Sequence, residues 1–337
     1  MSKIIIGIHG LGNKVPGPVL EDWWRQSIQE GLRNSGNPRP SLKIKLVYWA
    51  DRLYDTPMDP NETNEDAPFF VSDPYVPARP SPKKDPEGVS AKLLAYLEKQ
   101  IQKVYLNKDL SINYMSITDL FIRHFFRDLD IYYSKTCLTD KNIEAPAKDV
   151  IRELLGRVLK KYRRNKILLI AHSMGSIVAF DTLTWEVPHI KIDTLVTIGS
   201  PLGLPAVMVK ILAEQQIDYK KDLKIKTPEN IKKNWYNFFD PDDRVSLKRE
   251  LADDYVENTH HVRPIDQSVF NDYEYNGKTS AHQAYGYLRT PQTAQVITDF
   301  LNRGMPRAWI WFSNKINRWL QNRRADNEIM DRGGDEK

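Results

Sequence analysis

Two rhythms of apolar residues alternate along the chain. Short, nearly continuous apolar runs occur at Lys3–Ile8, Leu42–Trp49, Ile167–Ala171, Ile192–Ile198 and Trp235–Phe239. Their length and β-branched or aromatic content suit strands buried on both faces. Between them, apolar residues recur every three or four positions. Leu20, Trp23, Trp24, Ile28 and Leu32 mark a helix that stops at Asn34-Ser35-Gly36, and Val150, Ile151, Leu154, Leu155, Val158, Leu159 and Tyr162 mark another. Thr290-Pro291 cap and start a last core helix carrying Ala294, Ile297, Phe300 and Leu301, which Gly304 and Pro306 close. A shorter strand is expected within Val256–Ile265. Strands that alternate with crossover helices predict an α/β fold with a doubly wound, mostly parallel sheet. No internal repeat of 20–50 residues is visible.

The run Ile167–Ala171 leads into His172-Ser173-Met174-Gly175 and then into Ile177, Val178, Phe180 and Leu183, spaced for one face of a helix. Strand, sharp turn and helix hold a serine on a strained backbone at the carboxyl edge of a sheet, with the following N–H and the positive helix end facing any charge that develops beside it. That is a nucleophile elbow, with Ala171 in place of the first glycine of G-x-S-x-G. Ala-His-Ser-Met-Gly resembles the elbow of small bacterial lipases of the α/β-hydrolase family. The first strand runs into His9-Gly10-Leu11-Gly12. A strand ending in His-Gly near the start of the chain resembles the oxyanion loop of that family. The resemblance implies an oxyanion hole made by the N–H groups of Leu11 and Met174, with His9, Gly10, His172 and Gly175 in support.

A serine needs a base, and the base an orienting acid. The loop after Trp235–Phe239 offers Asp240, Asp242 and Asp243, and the residues themselves leave that choice open. The stretch Asn237-Phe-Phe-Asp-Pro-Asp-Asp-Arg-Val-Ser-Leu resembles the N-x-x-x-P-x-D-P-V-A segment of DDHD-type and related intracellular lipases, which implies Asp243 as the acid. Arg244 stands where those proteins often carry proline. Of seven histidines, His9 and His172 belong to loops already assigned, His124 to an insertion helix, and His189 precedes a strand. His260 and His261 fall in the expected strand near Thr259–Ile265. His282 follows that strand and precedes the last helix, in a His-Gln-Ala-Tyr loop that resembles the family's H-x-x-Y segment. Ser173, Asp243 and His282 are therefore the expected triad, on a minimal α/β-hydrolase sheet in which two helix-linked strands precede the elbow strand. The reaction expected is hydrolysis of a small-molecule or lipid ester through an acyl-enzyme. An amidase, thioesterase or acyltransferase on the same triad, or a non-catalytic interaction protein on a hydrolase fold, are the alternatives. No metal or organic cofactor is implied.

Asp51–Ala145 interrupts this pattern. Eight prolines from Pro57 to Pro86 stand among acidic and polar residues, and helical stripes follow at Ala91–Val104 and at Ile117–Tyr133, where Phe121, Phe125 and Tyr132 are prominent. Long irregular excursions in compact domains are usually functional covers or disordered. The segment reads as a lid or acyl-chain wall over the serine, or as plain packing against the flank. The expected organisation is a hydrolase domain over 1–305, interrupted by 51–145, and an amphipathic helix with a polar tail over 306–337. In 307–324, Trp309, Phe312, Ile316, Trp319 and Leu320 share one helical face, with Arg307, Lys315 and Arg318 opposite. Such a helix docks on a protein body, or lies peripherally in the headgroup region of an anionic membrane.

Composition narrows the class. The 337 residues are 41% hydrophobic, enough for a sizeable core, and the net charge of +5 is mixed along the chain, which argues against nucleic acid as a partner. Cys137 is the single cysteine, so no internal disulfide forms, and MSKIIIGIHG lacks the pattern of a secretory leader. The expected location is cytoplasmic, with the membrane alternative placing the protein at the inner face.

Overall fold

Alternate side chains of single strands feed two separate cores. Six strands form one sheet: β1 (Lys3–Ile8), β2 (Ile44–Val47), β3 (Lys166–His172), β4 (Ile192–Ile198), β5 (Ile231–Phe239) and β6 (Pro264–Ser268). Their spatial order is β6-β5-β4-β3-β1-β2, and every neighbouring pair is parallel. Ile4, Ile6 and Ile8 of β1, with Ile167, Leu169 and Ala171 of β3, enter one hydrophobic cluster; Ile5, Leu168 and Ile170 enter the other. This is why these strands read as continuous apolar runs rather than alternating ones. The computed structural model describes residues 1–79, 105–106, 112–113, 127, 129–217, 224–245, 250–306 and 315–316.

Helices cover both faces. On one side, α1 (Gly17–Asn34) and the later pair Ala284–Leu288 and Pro291–Asn302 bury Leu20, Trp24, Ile28, Tyr287, Ile297 and Phe300. On the other lie α2 (Ala147–Lys161), α3 (Met174–Asp181) and α4 (Pro205–Glu214). The two later helices are α5 (Ala284–Leu288) and α6 (Pro291–Asn302). The Thr290 side chain caps α6 by accepting the Thr293 N–H at 3.3 Å, with Pro291 in its first turn. The chain runs outward from β1 to β2, then crosses back over β1 to β3 and continues the other way. The carboxyl ends of β1 and β3 therefore flank the reversal point, where connections diverge and leave a crevice.

Several sequence expectations change. The elbow helix α3 was expected to have one apolar face, yet every residue from Met174 to Asp181 is buried. It is covered on its outer side by α2, where Arg152 reaches the Asp181 carboxylate at 2.5 Å and Tyr132 donates its hydroxyl to the same oxygen at 2.8 Å. Arg152 also meets Glu214 of α4 at 3.0 Å. Tyr132, read in the sequence either as a wall over the serine or as packing against the flank, lies in this buried network beneath α2. Burial raises the Asp181 carboxyl above its ordinary range, outweighing the Arg152 charge beside it.

The strand expected within Val256–Ile265 divides. Tyr255–Val256 pairs with Ile225–Lys226 in a separate ladder, and the sixth sheet strand begins at Pro264. Between them the Asn258 side chain closes a turn, accepting the N–H groups of His260 and Val262 and donating to the carbonyls of Pro228 and Ile231. His260 and His261 are exposed on that turn rather than facing a sheet, and His261 has φ +57°. Helix α4 begins at Pro205 and buries Ala206, Val207, Met208, Ile211 and Leu212. His124, Phe121, Phe125 and the stripe at Ala91–Val104 lie outside the described residues, as does 307–324 apart from 315–316.

Candidate active site

The residues singled out at the elbow sit at the β1/β3 reversal point. Ser173 follows β3 directly with φ +53° and ψ −131°, a region that a side chain occupies only at a cost of roughly 1–3 kcal/mol. The conformation is held from several sides. The Ser173 N–H donates to the Ile198 carbonyl at 3.0 Å, and the Ser176 hydroxyl donates to the Ser173 carbonyl at 2.6 Å while meeting the Ser200 hydroxyl at 2.7 Å. The turn also brings β1 and α3 so close that neither contact admits a side chain. A Cβ on Gly10 would lie 2.6 Å from the Ser173 Cβ, and one on Gly175 would lie 2.6 Å from the His9 carbonyl oxygen.

His282 and Asp243 arrive from loops far along the chain. His282 Nε2 lies 2.9 Å from Ser173 Oγ, and His282 Nδ1 lies 2.9 Å from both carboxylate oxygens of Asp243. Asp243 Oδ1 accepts the Val245 N–H and Oδ2 the Tyr287 hydroxyl, each at 2.8 Å. Burial alone would raise the Asp243 carboxyl, but His282 and these donors together hold it below its ordinary value, so it is a carboxylate. The competing aspartates do other work. Asp240 is buried and accepts the N–H groups of Asn271 (2.6 Å) and Asp242 (2.7 Å), which shapes the turn, and Asp242 is exposed.

The two supporting histidines are buried and neutral. His172 Nε2 donates to the His282 carbonyl at 2.8 Å, and burial followed by the neighbouring His282 keeps its pKa well below the ordinary range. His9 is stacked on Trp49, with ring centroids 4.9 Å apart. Its Nδ1 donates to the Gly10 carbonyl at 2.7 Å, and its Nε2 accepts the Trp49 N–H at 3.1 Å. Burial and then the charge of Lys14 lower its pKa to about 3. Pinning the Gly10 carbonyl on one side turns the Leu11 N–H to the opposite side, since the peptide is trans.

Four residues of this site carried no signal for their role in the sequence. Gly199 has φ +54°, and a Cβ there would lie 2.8 Å from Asp243 Oδ2 and 3.1 Å from His282 Nδ1. It was visible only as a strand end. Tyr287 bridges Asp243 and the Asp240 N–H, Asn271 donates to the carbonyls of Ala281 and Gln283 on either side of His282, and Trp49 holds His9. Each partner lies in a different segment, so spacing within one segment could not reveal it.

Ser173 and His282 open onto a cleft of about 450 Å³. Leu20, Trp23 and Trp24 of α1, Met58 and Val71 of the excursion, and Tyr285 make it largely apolar, with Lys14 and Asp73 on its polar side. The volume falls in the range of small-molecule sites, about 300–1,000 Å³. The part of the excursion beside the cleft is stitched down: Tyr75 and the Ala78 N–H meet Glu30, Tyr273 donates to the Pro74 carbonyl, and Arg289 to that of Val76. Among the described residues no group of three His, Cys, Asp or Glu side chains is arranged to hold a metal ion.

This geometry can be set beside known families. Residues 90–235 match the PGAP1-like alpha/beta domain. The match covers less than half of the chain and describes a hydrolase-type α/β fold, in agreement with the six-stranded parallel sheet flanked by helices. It includes Ser173 and ends before the loops that bring Asp243 and His282. No curated protein matches the chain. Among the described residues no helix is long and apolar enough to cross a membrane.

Proposed function

We propose that the protein is a serine hydrolase that cleaves carboxylic esters through an acyl-enzyme. The observation that carries this reading is the unbroken hydrogen-bond chain from Ser173 Oγ through His282 to the Asp243 carboxylate, 2.9 Å at each link. In the resting site, His282 Nδ1–H donates a hydrogen bond to Asp243, which keeps the proton on Nδ1 and leaves Nε2 unprotonated toward the serine hydroxyl. Ser173 Oγ attacks the ester carbonyl as Nε2 takes its proton, and the imidazolium then donates that proton to the departing alcohol. Water attacks the acyl-enzyme by the same route in reverse. The oxyanion is met by the N–H groups of Met174, at the start of α3, and of Leu11, which His9 turns away from the Gly10 carbonyl. The apolar cleft supports an acyl chain as the part of the substrate held beside the serine.

Turnover of p-nitrophenyl esters of short and medium chain length, with fluorophosphonate labelling, tests this. Ser173→Ala removes one oxygen at a rigid site, so the variant is expected to keep its fold and lose roughly 10⁴-fold or more of kcat together with all labelling. Equal labelling or equal rates in variant and wild type would overturn the proposal. Amide and thioester substrates in the same panel separate the acyl-transfer classes that share a triad.

A further inference from the structure

At the opposite end of the sheet a second cleft, of about 550 Å³, is lined by five cationic side chains: Lys3, Arg39, Lys43, Lys166 and Arg303. Neighbouring strands supply three of them at their amino ends. Lys3 of β1 and Lys166 of β3 are direct register partners, and Lys43 stands immediately before β2, its carbonyl accepting the Ile5 N–H of β1. Like charges set side by side on neighbouring strands are unfavourable. None of the described residues lining the cleft is an aspartate or glutamate, and Arg303 pairs with Asp193. The repulsion is felt: burial, then Lys166 and Arg303, lower the Lys3 ammonium pKa.

Part of the cluster has structural work. Lys3 donates to the carbonyls of Leu301 (2.6 Å) and Arg303 (2.8 Å) at the end of α6, where a cation complements the helix dipole, and Arg39 donates to Asn302 Oδ1 at 2.9 Å. The two carbonyls fix Lys3 at the cleft without neutralising it, because a carbonyl carries no net charge. Lys43 also sits over the Tyr162 ring, 5.7 Å from its centroid.

We propose that this cleft binds a phosphate group, carried by a soluble phosphate ester or by a lipid headgroup. Phosphate accepts several charge-assisted hydrogen bonds at once and offsets the excess of cations that the fold gathers here. The site is separate from the serine cleft: β3 has seven residues from Lys166 to His172, so its two ends lie roughly 20 Å apart at about 3.3 Å per step. The assignment is therefore independent of the hydrolase reading.

Calorimetric titration of the full chain with inorganic phosphate and pyrophosphate tests the site. The comparison is with Lys43→Gln and with the double variant Lys43→Gln/Lys166→Gln, which leave the contacts of Lys3 and Arg303 in place. One-to-one binding of pyrophosphate to the wild type, weakened about tenfold or more in the double variant with ester turnover unchanged, is the expected result. Sedimentation with vesicles of phosphatidylcholine and phosphatidic acid tells the two sources apart. Co-sedimentation that pyrophosphate reverses assigns a lipid headgroup, and pyrophosphate binding without co-sedimentation assigns a soluble ester. Absence of saturable binding to the wild type overturns the proposal. Equal affinity in wild type and double variant also does so, or in Lys43→Gln if the double variant does not fold.

Discussion

Acid should weaken this protein through His9 before it touches the carboxylates. The His9 ring is fully enclosed, donates from Nδ1 to the Gly10 carbonyl and accepts the Trp49 N–H at Nε2. Protonation would set a second donor against that N–H inside the core. Burial, with Lys14 second, accordingly moves its pKa from 6.5 to about 3. The folded value is the depressed one, so between about pH 6.5 and pH 3 the unfolded chain holds the extra proton. Stability is then complete above the unfolded value and falls as pH falls. Across the whole window the loss approaches ~5 kcal/mol, at 1.36 kcal/mol per pH unit. From about pH 7.5 to about pH 5 it is ~2 kcal/mol, a large part of a typical 5–15 kcal/mol. His172 contributes in the same direction.

The variant His9→Asn isolates the effect. Its amide can replace the Nδ1 donor, cannot titrate, and leaves the Trp49 N–H short of an acceptor, a pH-independent cost of about 1–3 kcal/mol. Urea unfolding followed by circular dichroism at a series of pH values gives both stabilities. The gap between wild type and variant should narrow by ~2 kcal/mol from about pH 7.5 to about pH 5. Parallel curves, with a constant gap over that range, would refute the reasoning.

Other substitutions probe the remaining supports. Tyr287→Phe removes the donor to Asp243 and the acceptor for the Asp240 N–H; it should cost about 1–3 kcal/mol in urea unfolding and shift the acid limb of the pH–rate profile upward. An unmoved limb would show that Tyr287 does not tune Asp243. Arg152→Met strands the Asp181 carboxylate beneath α2 and should cost about 3–5 kcal/mol, whereas Arg152→Met with Asp181→Leu should recover much of that. Equal losses in single and double variants would contradict the pairing. Gly199→Ala places a Cβ at φ +54° and 2.8 Å from Asp243 Oδ2; ester turnover should fall by at least about tenfold with a stability loss near 1–2 kcal/mol. Wild-type turnover with a lowered melting temperature would separate the glycine from the Asp243–His282 geometry.

Local pattern alone was enough for the sheet, because burial on both faces writes itself into consecutive residues: Ile4–Ile8 and Ile167–Ala171 need no partner to be recognised as core strands. The elbow was equally legible, since strand, Ser173 and Gly175 fall within one short stretch. The alternatives at Asp240, Asp242 and Asp243 were not separable by spacing, and only the folded loops bring one of the three within 2.9 Å of His282. The same holds for the strand misplaced within Val256–Ile265, where a side-chain hub at Asn258 outweighs local β propensity. Apolar periodicity is a property of neighbours along the chain and survives in the sequence. The pairings His9 with Trp49, Tyr287 with Asp243, Arg152 with Asp181 and Lys3 with Lys166 join residues far apart in sequence. A hydrogen bond or charge contact has no period, so those partners were decided by tertiary structure alone.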